Sequence, residues 1–217
     1  MAKTPVPGLV KTRLAPPLTA EQAAELCRAL LLDQLEHLTA LRNADLYLAF
    51  APEDAASMMA SLAPPRYQCF PQRGDDLGAR MENVLAELWR RGHRHALLIG
   101  GDLPPVPLEF FDRAFARLAV DRHRVVLGPS RDGGYYLIGM NRPAPQIFSA
   151  MTWSHNQVLA ETTERLVRSG IDFTLLPEWF DVDCAADLDR LRALSDPALR
   201  AGMKRTLVCL SIGFSPV

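Results

Sequence analysis

The sequence predicts an α/β protein: a mainly parallel sheet covered by helices on both faces. Two observations carry this. Short apolar segments of strand length alternate with amphipathic segments of helix length along the chain, the pattern of strand–helix–strand units. Three of the strand-like segments adjoin unusual loops, Gly100–Pro105, Gly128–Gly134 and Phe180–Asp183. Open α/β sheets place their ligands beyond the carboxyl ends of strands, on loops of this kind.

The elements follow in order. Thr19 with Gln22 has capping-box spacing and opens a helix of about 20 residues. Its apolar stripe is Leu26, Leu30, Leu31, Leu35 and Leu38, near the helical period. Leu46–Phe50 reads as a strand, Glu53–Leu62 as a helix ended by Pro64-Pro65, and Tyr67–Phe70 as a second strand. Leu77–Arg91 is a helix with Gly92 just past its end. Ala96–Ile99 is a buried type of strand, and Pro107 suits the first position of a helix to Ala119. Val125–Leu127 and Tyr135–Ile138 are strands, Gln157–Ser169 a helix, Phe173–Leu176 a strand and Ala185–Leu194 a helix. No repeat, low-complexity tract or dividing linker interrupts residues 1–217, so a single domain is expected.

Composition removes several classes of function. The chain has 217 residues, 48% hydrophobic and 23% charged, and can bury a core without covalent staples. A net charge of -1 gives no overall attraction to nucleic acid or anionic membrane. Aromatic residues are not interleaved with Lys and Arg, so no nucleic-acid partner is expected. The apolar stretches are short for a bilayer. Residues 1–18 carry Lys3, Lys11 and Arg13 and no apolar run of signal-peptide type. Cys27, Cys69, Cys184 and Cys209 are scattered without C-x-x-C spacing and read as reduced thiols. A cytoplasmic protein is the expectation.

Five constellations carry candidate chemistry. Residues 1–18 contain basic side chains and no acid, centred on Pro5-Val6-Pro7-Gly8 and Lys11-Thr12-Arg13. Gly8 permits a positive φ or a close backbone approach, and Lys11 and Arg13 suit phosphate oxygens; a solvated basic loop is the competing reading. The P-loop spacing is missing. Next, Leu97-Leu98-Ile99 runs into Gly100-Gly101-Asp102, setting a carboxylate at a strand end. Magnesium takes one or two carboxylates plus phosphate oxygens and water there, whereas a turn or cap is the plainer alternative.

The third is Gly128–Tyr136, where Asp132 is either an acceptor-side carboxylate or part of a hairpin turn with Gly133. In Phe180-Asp181-Val182-Asp183 an extended backbone sets both aspartates on one face. Asp183 either binds a metal or caps the helix at Ala185. Last, Arg80 lies in the first turn of the helix after Gly74–Asp76, placed for a nucleotide or simply on the surface. His37, His93, His95, His123 and His155 lack metal-ligand spacing, and no G-x-S-x-G elbow is present.

Taken in order, these segments resemble one bacterial family. The residues concerned are Ala2–Gly8 with Lys11–Leu14, Gly78 with Arg80-Met81, Gly101–Pro104, Gly128-Pro129, Asp132–Tyr136, Asp181–Asp183 and Asp187-Leu188. The family is GT-A-type and glycosyltransferase-like, long catalogued as a domain of unknown function. Its members are often named arsenosugar-biosynthesis-type glycosyltransferases, and it looks related to the 2-phospho-L-lactate and molybdenum cofactor guanylyltransferases. The resemblance implies a nucleotide-diphospho-sugar transferase fold, a three-layer α/β/α sandwich, in which the phosphates of a nucleotide sugar or NTP meet Gly8, Lys11, Arg13, Arg80 and Gly101. It implies Mg2+ or Mn2+ on Asp102 and Asp183, with Asp132 towards a small-molecule acceptor. Lys11 and Arg13 would then neutralise charge on the leaving phosphate.

Glycosyl transfer from a nucleotide sugar is the leading expectation. Nucleotidyl transfer from an NTP to a phosphorylated small molecule is the alternative, and a non-catalytic nucleotide-binding module a third. Relatives usually carry a full apolar strand before the Ala-Lys-x-Pro-x-Pro-Gly segment, whereas here Met1 directly precedes Ala2-Lys3. The first strand is therefore expected to be missing. The apolar Thr206–Phe214 segment, read as strand-like, is expected to fill that slot or pair elsewhere with the sheet.

Overall fold

The computed structural model describes residues 1–120 and 122–211. Its strands are β1 (Ala2–Lys3), β2 (Leu46–Ala51), β3 (Tyr67–Pro71), β4 (Ala96–Ile99), β5 (Arg124–Pro129), β6 (Tyr135–Met140) and β7 (Asp172–Leu175). Its helices are α1 (Ala20–Leu38), α2 (Ala56–Leu62), α3 (Leu77–Arg90), α4 (Leu108–Leu118), α5 (Val158–Arg168), α6 (Ala185–Ala193), α7 (Pro197–Ala201) and α8 (Lys204–Ser211). Single 3-10 turns occur at Thr12–Leu14, Glu53–Ala55 and Pro145–Ile147. The elements form two compact units: Met1–Pro71 with Gly101–Leu108 and Asp181–Val217, and Gln72–Gly100 with Glu109–Phe180.

In the first unit, α1 starts at the expected capping box. The Thr19 side chain accepts from Gln22 N and the Gln22 side chain accepts from Thr19 N. Both bonds satisfy amide groups that a helix start leaves without partners. Leu31 and Leu35 of α1 pack with Ala2, Leu48, Phe50 and Met59, each Leu, Phe or Met side chain contributing about 1.5–3 kcal/mol on burial. The sheet beneath is parallel, in the order β1-β2-β3, with Ala2 opposite Phe50 and Leu48 opposite Cys69. The first strand is thus represented by two residues, which occupy the edge next to β2.

The C-terminal segment corrects an expectation. Lys204–Ser211 is helix α8 and packs on α1 instead of pairing with a sheet; residues 212–214 of the expected strand lie outside the described residues. Met203, Thr206, Leu207 and Leu210 recur at helical spacing, and Met203 and Thr206 are fully buried. The helix start is held from a distance: buried Asp33 of α1 accepts from Arg205 N at 3.2 Å, Thr206 N at 2.8 Å and Arg205 Nη1 at 3.1 Å. A carboxylate at a helix N-terminus satisfies two amide groups and complements the dipole.

In the second unit the strand order is β4-β6-β5-β7. The β5–β7 pair is parallel, but β6 runs antiparallel to both β4 and β5. The segment between β5 and β6 is too short for a parallel crossover, which needs a dozen or more residues. It closes as a hairpin, with Ser130 N donating to Gly134 O at 3.0 Å and Gly133 N to Ser130 O at 3.1 Å. Three of the five pairings in the two sheets are parallel. No helix among the described residues is long and apolar enough to cross a membrane.

Candidate active site

Within the first unit, the basic loop is pinned at both ends by apolar side chains. Val10 packs against Ala24 and Cys27 of α1, and Leu14 is fully buried. Gly8 has φ +77° and open space where a Cβ would stand, so its role is the positive φ. Lys11, held between the two anchors, also takes the left-handed region, with φ 49° and ψ 35°. For a residue with a Cβ that conformation is uncommon and persists where surrounding contacts enforce it.

The Lys11 side chain is held by electrostatic contacts. Lys11 Nζ lies 2.7 Å from Asp102 Oδ2 and 2.8 Å from Asp183 Oδ1, and 3.4 Å from the Asp102 carbonyl oxygen. All three ammonium protons have acceptors. The Lys11 side chain is 2% exposed, against 46% for Asp102 and 34% for Asp183. The cation is sealed inside and the anions face out. Burial alone would lower the lysine pKa; the two carboxylates together outweigh it and hold Lys11 above the usual lysine range. The Lys11 charge in turn holds Asp102 below the usual carboxylate range.

Each carboxylate is positioned by its own local structure. Gly101 precedes Asp102, and a Cβ there would stand 2.8 Å from Ala2 Cβ and 3.1 Å from Leu31 Cδ1. The glycine lets the chain lie directly on β1 and α1. Downstream, Leu103 and Val106 are buried, and the His37 ring Nε2 bonds the Val106 carbonyl oxygen at 2.8 Å. At the other segment, Val182 is buried while Asp183 is half-buried.

The cap of α6 is Cys184, not Asp183. Asp187 accepts from Cys184 N at 3.0 Å and from Asp183 N at 3.1 Å, and its other oxygen accepts from Arg190 at 2.8 Å. With capping done by its neighbours, the Asp183 carboxylate turns to Lys11. The positioning part of Asp187 was not read from the sequence, although three-residue spacing from Cys184 matches a capping box.

The structure therefore brings together Lys11, Asp102 and Asp183. Gly8, Arg13 and Gly101 lie in the same unit, Arg13 being exposed on the 3-10 turn Thr12–Leu14. Arg80 and Asp132 belong to the second unit. Arg80 Nε donates to the Gly74 carbonyl at 3.0 Å, beside the Asp76 cap of α3. Asp132 is exposed on the hairpin and accepts from Gly134 N at 2.9 Å. Gly133 has φ +88°, and a Cβ there would fall 2.1 Å from the Asn156 carbonyl oxygen, so this turn requires glycine. Cys27 is not a nucleophile candidate: burial pushes its thiol up to about 12.

Among the described residues, no group of three or more His, Cys, Asp and Glu side chains is placed to hold a metal alone. Two carboxylates aimed at one point remain. That donor set is the kind Mg2+ accepts when substrate phosphates and water complete its shell.

Comparison with known proteins adds three likenesses. Residues 34–155 match the model of the family described as DUF2064, an uncharacterized protein conserved in bacteria. That stretch includes Asp102 and Asp132 and leaves out Lys11 and Asp183. A protein from Desulfovibrio desulfuricans G20, provisionally assigned as a nucleotide-diphospho-sugar transferase, is 32% identical. The match covers 96% of this chain and 93% of that one, with a TM-score of 0.83. The fold is thus that of the nucleotide-diphospho-sugar transferases. A CMP:2-keto-3-deoxy-manno-octonic acid synthetase solved with CTP is 17% identical, with 75% of this chain and 86% of that one covered and a TM-score of 0.49. An inositol-1-phosphate CTP transferase from T. maritima is 11% identical, with 94% of each chain covered and a TM-score of 0.45. At such scores these two carry no argument. No curated protein matches the chain.

Proposed function

The chain belongs to the DUF2064 family, and from that footing we propose that it is a metal-dependent glycosyltransferase using a nucleotide-diphospho-sugar donor. The observation that carries the proposal is the convergence of Asp102 and Asp183 on Lys11 at 2.7 and 2.8 Å. Two part-exposed carboxylates within reach of one point suit a divalent cation, and the basic loop beside them suits phosphate. The relative from Desulfovibrio desulfuricans G20, similar along nearly the whole chain, supports a diphospho-sugar donor.

Asp102 and Asp183 would hold Mg2+ or Mn2+, which supplies charge neutralisation to the diphosphate as the sugar departs. Lys11 fixes the two carboxylates, and its side chain is the nearest cation to them. Arg13, exposed one turn on, offers a planar fork for phosphate oxygens. Stabilising charge where it develops is usually the largest contribution to catalysis of this type. The assignment of Asp132 to the acceptor, and of Arg80 to the nucleotide, rests on the sequence resemblance.

The test is a panel of UDP-, GDP-, ADP- and CDP-sugars and the matching NTPs, followed by thermal shift with Mg2+ or Mn2+, since a bound ligand raises apparent stability. Any stabilising donor is then incubated with candidate acceptors. Release of nucleoside diphosphate supports sugar transfer, and release of pyrophosphate from an NTP marks nucleotidyl transfer instead. A panel with no metal-dependent stabilisation contradicts the proposal.

A further inference from the structure

The Lys11 ammonium sits where a divalent cation would have to bind. Its three protons are taken up by Asp102 Oδ2, Asp183 Oδ1 and the Asp102 carbonyl. It is sealed from solvent, whereas the carboxylates that hold it are not. The backbone under it is left-handed, with φ 49°. Two carboxylates and one ammonium leave the cluster with a charge of about -1. A divalent cation in addition brings it to about +1, in a site where like charges a few ångströms apart repel strongly. Such a cluster favours a cation only when an anion accompanies it.

Resting on the proposed use of Mg2+ or Mn2+ by Asp102 and Asp183, we infer that Lys11 is a built-in counter-ion that competes with the metal, so that metal and diphosphate bind as a pair. In the free protein Lys11 occupies the carboxylates and keeps metal affinity low. When a metal–diphosphate complex arrives, the carboxylates pass to the metal and the ammonium turns to a phosphate oxygen. No covalent bond changes in this exchange. Because coupling is reciprocal, the diphosphate raises metal affinity by the factor by which the metal raises diphosphate affinity.

The experiment uses Mn2+ and inorganic pyrophosphate as probes, with protein-bound Mn2+ followed by water proton relaxation. Wild-type protein is compared with Lys11→Met and Asp102→Asn. Wild type is expected to bind Mn2+ weakly alone and more tightly with pyrophosphate. Lys11→Met is expected to bind Mn2+ alone about tenfold more tightly than wild type, an ordinary size for coupled sites, and to lose most of the pyrophosphate enhancement. Asp102→Asn should bind poorly in both conditions. Lys11→Met binding Mn2+ no more tightly than wild type, while Asp102→Asn loses it, overturns the inference and leaves the metal site standing. Equal Mn2+ binding by wild type and Asp102→Asn in the presence of pyrophosphate overturns the metal reading itself.

A second measurement avoids substitutions. Reductive methylation of Lys11 in wild-type protein, read by mass spectrometry, should accelerate when Mn2+ alone is added at saturating concentration. It should slow again when pyrophosphate joins. A rate unchanged by saturating Mn2+ overturns the inference even where Lys11→Met fails to fold.

Discussion

Lys11 is a sealed cation between two part-exposed anions, and its ionisation ties stability to pH with definite signs. Asp102 is depressed in the folded protein. Its contribution is present above the unfolded carboxylate value of about 4 and is lost as pH falls through the lower folded value. Lys11 is raised, so its contribution is complete below about 10.4 and is lost only as pH rises through a higher folded value. The ion cluster should therefore leave the melting temperature flat across neutral pH. On the acid side the wild type should lose melting temperature more steeply than Asp102→Asn, as followed by circular dichroism below about pH 4. Parallel acid limbs for the two proteins would show that the contact with Lys11 does not couple to folding. Of these residues, Asp102 was legible as a carboxylate just past a strand, Asp183 as one on an extended segment before a helix, and Lys11 as a base in a basic loop. Their mutual contact was not legible, because it joins positions far apart in sequence. The left-handed backbone at Lys11, φ 49°, is likewise not encoded by a lysine, which carries no local signal for it.

Most elements could be read because their signals are local. The Thr19–Gln22 box, the glycine after α3 and the apolar run of β4 each declare themselves within a few residues. The failures occurred where a tertiary partner decides. Thr206–Ser211 looks strand-like by apolar content, yet its start is satisfied by Asp33 of α1, and helical spacing at Met203, Thr206, Leu207 and Leu210 matches that outcome. From sequence alone, Asp132-Gly133 fits either a hairpin turn or a ligand loop, and the β5–β6 pairing shows the hairpin. Replacing Asp33 by Ala removes a buried acceptor of three bonds, with an expected cost of about 1–3 kcal/mol. Amide hydrogen exchange should rise first in Lys204–Ser211. A uniform rise over the whole protein, with α8 no faster than α1, would show that Asp33 does not act as a local clamp.

For the molecule as a whole, the α/β class and the family were readable because the informative segments recur in order along the chain. The division into two units was not, since each draws on separate stretches: Gly101–Leu108 and Asp181 onward join Met1–Pro71. That interleaving is what gives the first unit its site. The basic loop, the loop after β4 and the segment before α6 all belong to it, so their three charged groups come together within one compact body. On the proposed function, Asp102 and Asp183 make donor binding depend on a divalent cation. Isothermal titration of the stabilising nucleotide sugar into wild type, Asp102→Asn and Asp183→Asn, with Mn2+ and with a chelator, tests it most directly. Mn2+-dependent binding is expected for wild type, weakened at least about tenfold in each variant, as when a charge-assisted contact worth about 1.5–3 kcal/mol is lost. Equal affinity in all three proteins, with or without Mn2+, would contradict it.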